Sequence, residues 1–97
     1  MTISGYPESY ALEQNFPNPF NPVTTIQFAV PDGVRNEPVR LTVYDMLGRE
    51  VTTLVNERKD AGIYSIQWNA AGFSSGVYFY SLRAGDVTAT KKLLLMK

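Results

Sequence analysis

Apolar and polar side chains alternate along most of this chain, and no stretch of useful length keeps the 3.6-residue rhythm of a helix. A period of two puts successive side chains on opposite faces of a strand, so each such segment offers one face for burial. Ile26, Phe28 and Val30 share one side of Val23 to Val30, with Thr25, Gln27 and Ala29 on the other. Val39, Leu41 and Val43 repeat this against Arg40, Thr42 and Tyr44, and Tyr64, Ile66 and Trp68 do so within Gly62 to Asn69. Asp45-Met46-Leu47-Gly48 reads as a type I turn, with aspartate first and glycine fourth. A shorter strand from Arg49 to Val55 and a charged loop from Asn56 to Ala61 follow. Further on come a small-residue loop from Ala70 to Gly76, an aromatic strand from Val77 to Ala84, a tight Gly85-Asp86 turn and a last strand from Val87 to Met96. A short strand near Ala11 to Asn15 makes seven. Seven strands with turn signals every ~8–12 residues predict an all-β sandwich of two antiparallel sheets. Pro22, Pro31 and Pro38 fall at strand ends, where a missing N–H costs little.

Ninety-seven residues make one domain, long enough to bury a core without staples. That core is expected to hold Trp68, Phe28, Tyr64, Tyr78, Ile26, Ile66, Leu41 and Val43. Each large side chain contributes ~1.5–3 kcal/mol against chain entropy. Nine basic and nine acidic residues balance, which argues against a nucleic-acid partner held by a broad basic face. Residues 1–48 are nevertheless net acidic and residues 49–97 net basic, and Val87 to Lys97 carries three lysines and no acid. With no cysteine and no histidine, the chain makes no disulfide and lacks thiol chemistry, zinc ligation by nitrogen or sulfur and histidine acid–base catalysis. Residues 1–10 (MTISGYPESY) show neither the basic nor the apolar part of a signal peptide and read as a linker, with Met1 compatible with a cloning start. A signal for export would then lie on a larger parent.

Four segments invite a functional reading. In Phe16-Pro17-Asn18-Pro19-Phe20-Asn21-Pro22 the prolines fix φ and push the preceding residues to extended geometry. Asn18 and Asn21 suit Asx-type turns, and Phe16 and Phe20 are placed to pin the segment to the sandwich. A rigid corner is favoured over a proline-rich ligand for a partner's groove. Asp45, Glu50, Asp60 and Asp86 are the carboxylates to weigh for calcium or acid–base work, but no Asp-x-Asp spacing occurs and the three aspartates stand at turns. Ser74 and Ser75 lack a histidine base. No enzyme, cofactor or metal site is therefore expected. Gly76-Val77-Tyr78-Phe79-Tyr80, apolar on both faces, reads as a central strand rather than as an aromatic surface for carbohydrate.

The ending, Lys91-Lys92-Leu93-Leu94-Leu95-Met96-Lys97, is far too short to span a bilayer, which takes roughly 20 apolar residues. As a last strand it turns Leu93 and Leu95 inward, with lysines guarding an edge. Leu94 and Met96 then point outward beside the cations, a patch suited to docking by addition of this strand to a partner's sheet.

LEQNFPNPFNPVTTIQFAVP (12–31), VYDMLGREVTTLV (43–55), AGIYSIQWNAAGFSSGVYFYSL (61–82) and AGDVTATKKLLLMK (84–97) together resemble the C-terminal sorting domain of type IX secretion substrates, type A, of the Bacteroidetes and related phyla. The immunoglobulin-like module of the flagellar hook-capping protein shares the Asn-Pro-Phe-Asn-Pro and Tyr-Asp-x-x-Gly-Arg patterns, while the Gly-Val-Tyr segment and the lysine-leucine ending favour the sorting domain. The resemblance implies an immunoglobulin-like sandwich over 11–97, fused to an upstream cargo through residues 1–10. It implies a non-catalytic export signal that passes the periplasm and reaches the cell surface or medium. Its protein partners would be the secretion machinery and a surface sortase that cuts upstream of the domain. The family's recognition motifs map to Lys91, Lys92, Leu93, Leu94, Leu95, Met96 and Lys97 and to Gly76, Val77 and Tyr78. Phe16, Pro17, Asn18, Pro19, Phe20, Asn21, Pro22, Asp45, Gly48 and Trp68 are expected to be structural. The isolated domain is expected to be a monomer or a weak edge-strand dimer. An immunoglobulin-like structural, adhesion or carbohydrate-binding module is the alternative.

Overall fold

The computed structural model describes residues 9–97; of the expected 1–10 linker, residues 1–8 lie outside them. Seven strands follow in order: β1 (Ala11–Leu12), β2 (Val23–Val30), β3 (Glu37–Tyr44), β4 (Glu50–Lys59), β5 (Gly62–Asn69), β6 (Gly76–Ala84) and β7 (Val87–Leu95). They form a three-stranded sheet, β1-β2-β5, and a four-stranded sheet, β4-β3-β6-β7, with every strand pair antiparallel. This is the two-sheet antiparallel sandwich that the alternation predicts, of the immunoglobulin-like kind that the resemblance implies. Among the described residues no helix is long and apolar enough to cross a membrane.

The phase of each strand follows its apolar set. Ile26, Phe28 and Val30 of β2 meet Val39, Leu41 and Val43 of β3 and Tyr80, Leu82, Leu93 and Leu95 of β6 and β7 in one core, all nearly or fully shielded from water. Trp68 closes one end of that core, with Phe20, Phe73 and Tyr78 around it at centroid distances of 5.8, 5.4 and 5.8 Å. Tyr64 and Ile66 pack against the core but stay half-buried, because β5 is an edge strand with only β2 beside it.

β4 runs through Lys59, where sequence composition suggests a charged loop from Asn56 onward. Asn56 to Lys59 pair with Glu37 to Arg40 along the sheet's outer edge; Glu57 and Arg58 stand in water, while Lys59 is largely covered, paired with Glu57 at 2.6 Å and set over the Tyr64 ring. Charged residues at an exposed edge discourage pairing with another chain, and two register shifts against β3 add to that protection. Pro38 lies one residue inside β3, before pairing with β6 begins at Val39, and so removes no bond from that ladder.

The proline segment is where the chain changes sheets. Glu13 and Phe16 bond to Gln27 and Thr25 of β2, and Phe20 then bonds to β7. Phe16 is held by its backbone, through N–H and C=O bonds to Thr25, while its ring is 55% exposed; it does not pin the segment by packing as Phe20 does. Between these attachments residues 17–19 and 21–22 bend, so the segment is a corner, as the sequence suggests, but a bent one where the prolines led to an expectation of extended backbone.

Candidate functional site

The end of β7 is built by three devices that meet there. The first is strand alternation. Leu93 and Leu95 have no exposed surface, so the core consumes them. Lys92 and Leu94 point to the other side, opposite Phe79 and Val77 of β6, and Met96 continues the alternation at 54% exposed. Tyr44 stands beside Phe79 on β3. The outer face of the sheet thus carries an apolar strip of Tyr44, Phe79, Val77, Leu94 and Met96 with Lys92 set within it. Lys91 falls on the inward side, in register with Tyr80, so the two adjacent lysines point opposite ways rather than flanking one patch. A charged side chain turned inward at the margin of an edge strand is a recognised guard against edge pairing.

The second device covers the strand's edge. The Leu94 N–H donates to Asn18 Oδ1 at 2.9 Å, the Phe20 N–H donates to the Leu94 carbonyl at 3.0 Å, and the Met96 N–H donates to the Phe20 carbonyl at 3.0 Å. Gln14 Nε2 donates to the Lys92 carbonyl at 2.7 Å. From Lys92 to Met96 the edge that a partner strand would use is therefore occupied by residues 14–20, and the side chains are what remain readable. The Lys97 N–H donates to Ser75 Oγ at 3.0 Å and its ammonium to the Ala71 carbonyl at 2.5 Å. This cation is tied to the β5–β6 loop.

The third device is the corner before β6. Tyr78, buried, donates from its hydroxyl to the Ser74 carbonyl at 2.6 Å, and its ring packs edge-on against Trp68. A tyrosine that bonds back to the chain just upstream of its own strand is a recurrent brace of immunoglobulin-like folds. Gly76 enters the strand at φ +149°, which side-chain-bearing residues rarely adopt. Gly76 and Tyr78 of the Gly-x-Tyr segment thus shape the corner, and Val77 is its outward member. Tyr78 and Tyr80 both face the core, and Phe79 is the outward aromatic of the segment, beside Tyr44.

Tyr80 also ties residues 13–20, the strap that covers the edge of β7, to the sheet. Its hydroxyl donates to the Glu13 carbonyl at 2.7 Å and accepts the Asn15 N–H at 2.8 Å. Burial pushes this hydroxyl up to about 12, with the Asn15 N–H opposing the rise and the Glu13 charge adding to it. Asn15, 2% exposed, donates to Thr24 Oγ1 at 2.9 Å and to the Pro17 carbonyl at 3.2 Å. Sequence reasoning did not single out Asn15, Thr24 or Tyr80 as a unit, since nothing in their spacing brings residue 15 to residue 80.

Of the four carboxylates of interest, Asp45, Glu50 and Asp60 are held in hydrogen bonds or ion pairs. Asp45 accepts the N–H groups of Leu47 and Arg49 and pairs with the Arg49 guanidinium at 2.8 Å, while Gly48 completes the turn at φ +82°. Hydrogen bonding from the Arg49 backbone, joined by its guanidinium and the Leu47 N–H, holds the Asp45 carboxyl below its ordinary 3.8 against the opposing effect of desolvation. Glu50 pairs with Arg40 at 3.2 Å, and Asp60 accepts the Asn36 N–H at 2.7 Å. Asp86 sits in the two-residue β6–β7 turn. A larger cleft of about 520 Å³, lined by Glu37, Arg40, Arg58 and Arg83 among others, lies at the opposite end of the sheet from Leu94 and Met96.

The family model described as secretion system C-terminal sorting domain matches residues 14–96. No curated protein matches the chain.

Proposed function

The chain belongs to the C-terminal sorting domains of type IX secretion, and from that membership we propose that the outward side of β7 is what the secretion machinery reads when it exports a fused cargo. The observation that carries this reading is the division of labour along β7. Leu93 and Leu95 are fully buried, the edge from Lys92 to Met96 is taken by Gln14, Asn18 and Phe20, and folding leaves Lys92, Leu94 and Met96 facing out.

Such a signal works without chemistry of its own. Closing the strap over β7 presets the outward strip, so a receptor meets a rigid surface and spends little on ordering it. An apolar socket with carboxylates at its rim would complement Leu94, Met96 and Lys92, the charge steering the encounter. Because the strip exists only when the strap and both sheets are in place, the machinery would read the folded domain. The cargo would travel through the periplasm, and a sortase acting in trans would then cut upstream of residue 11 and leave the cargo at the surface.

The test is a passenger protein fused ahead of this 97-residue chain in a type IX-competent cell. The passenger should appear at the surface or in the medium, and its mature form should lack residues 11–97. A passenger that stays in the periplasm with the domain attached would refute the reading.

A further inference from the structure

We infer that Met46 and Leu47, at the tip of the β3–β4 hairpin, form a second anchor of the same recognition surface and enter an apolar, carboxylate-rimmed socket on the protein that reads β7; this rests on the function proposed above. Hairpin tips are ordinarily polar, with Asn, Asp, Ser and Gly preferred for turn geometry. Here the two middle positions hold large apolar side chains that are 70% and 77% exposed, the highest values among the large hydrophobic residues described. The fold makes no use of their side chains.

The tip is nevertheless rigid. Asp45 Oδ1 accepts both the Leu47 and the Arg49 N–H, the Gly48 N–H donates to the Asp45 carbonyl at 3.0 Å, and the Asp45 N–H donates to the Arg49 carbonyl at 2.9 Å. Exposed apolar groups on a frame fixed by this many bonds are what a preorganised anchor requires.

Location joins the tip to the proposed site. A cleft of about 210 Å³ is walled on one side by Asp45, Met46, Leu47 and Arg49 and on the other by Ser75, Gly76, Val77 and Tyr78. Ser75 is the residue that accepts the Lys97 N–H, and Val77 is the partner of Leu94. The tip, the cleft and the outward residues of β7 therefore form one end of the molecule. The acids of that end, Asp45 and Glu50, are each taken by an arginine, and among the described residues neither Lys92 nor Lys97 lies within ion-pair distance of an acid. The uncompensated charge is positive, which selects a partner whose apolar socket has an acidic rim.

The experiment compares three passenger fusions of the full chain in type IX-competent cells. They are the unaltered domain, the Met46→Ser/Leu47→Ser variant and the Lys92→Glu/Leu94→Ser/Met96→Ser variant, each also purified for a thermal melt and for sedimentation. The tip variant should melt with the unaltered domain and lower the surface-exposed fraction about tenfold, as expected when two anchors are removed. A Met46→Leu/Leu47→Met variant should restore export. Full export by the tip variant beside failure of the β7 variant would overturn the inference and leave the function standing. Full export by both would remove both. A shift from dimer to monomer in the tip variant with export intact would make the tip a contact between copies and would also overturn the inference.

Discussion

Asn18 accepts the backbone N–H of Leu94 through its side-chain oxygen at 2.9 Å, across 76 residues of sequence. With Phe20 beside it, this bond fastens the proline corner to the edge of the last strand. Asn18→Ala leaves the Leu94 N–H without its partner and should lower stability by about 0.5–1.5 kcal/mol, the usual net worth of such a bond. Hydrogen exchange should show faster exchange at the Leu94 and Met96 amides, with the β2–β5 ladder unchanged. Equal exchange in variant and parent would mean that the edge is not held this way.

Tyr80→Phe removes a hydroxyl that serves two backbone groups, the buried Asn15 N–H and the partly buried Glu13 carbonyl. The expected cost is about 1–3 kcal/mol in a denaturant melt, since the Asn15 N–H is left unpaired in a buried site. The parent should also lose stability in alkali. Its Tyr80 hydroxyl ordinarily titrates at 10.0 and is pushed up to about 12 in the fold. The stabilisation is thus complete below about pH 10 and is lost as the pH rises toward 12, by up to about 1.4 kcal/mol per unit. The phenylalanine variant should lack Tyr80's share of that alkaline loss.

Asp45 supplies the opposite sign. Its carboxyl is held below 3.8 in the folded hairpin, so its contribution is present above that pH and disappears as the pH falls through the lower folded value. The protection of the Leu47 and Arg49 amides, taken relative to the intrinsic exchange rate at each pH, should hold near neutrality and fall at pH below about 4. Asp45→Asn should be far less sensitive to acid over that range.

Trp68→Ala should cost about 3–5 kcal/mol, because the indole is 4% exposed and three aromatic rings rest on it. A thermal melt checks this directly, and a loss well under 1 kcal/mol would contradict its placement at the centre of that cluster.

Alternation made the strand phases legible: Ile26, Phe28 and Val30 turn inward together, and so do Leu93 and Leu95, because a period of two assigns a face without knowledge of the partner. The Asp45 turn was legible for a local reason, since its bonds lie within four residues. The strap was not. Asn18 and Leu94, or Asn15 and Tyr80, meet only after both sheets form, and no local pattern encodes such a pairing. Charge misled at Asn56 to Lys59, where an exposed strand edge and a loop call for the same residues. The bond from the Lys97 ammonium to the Ala71 carbonyl, 26 residues away, was not legible either. The outward role of Leu94 and Met96 was readable in the sequence, but their edge being closed to strand addition was not.

Deleting the end of β7 cannot test whether it is read, because Leu93 and Leu95 would leave the core with it. The direct measurement is the surface-exposed fraction of a cargo carrying Lys92→Glu/Leu94→Ser/Met96→Ser, set against a second variant, such as Val39→Ala, chosen to match its melting temperature through a core change elsewhere. The outward variant should stay in the periplasm while the matched variant is exported. Equal export of the two would contradict recognition through the outward side of β7.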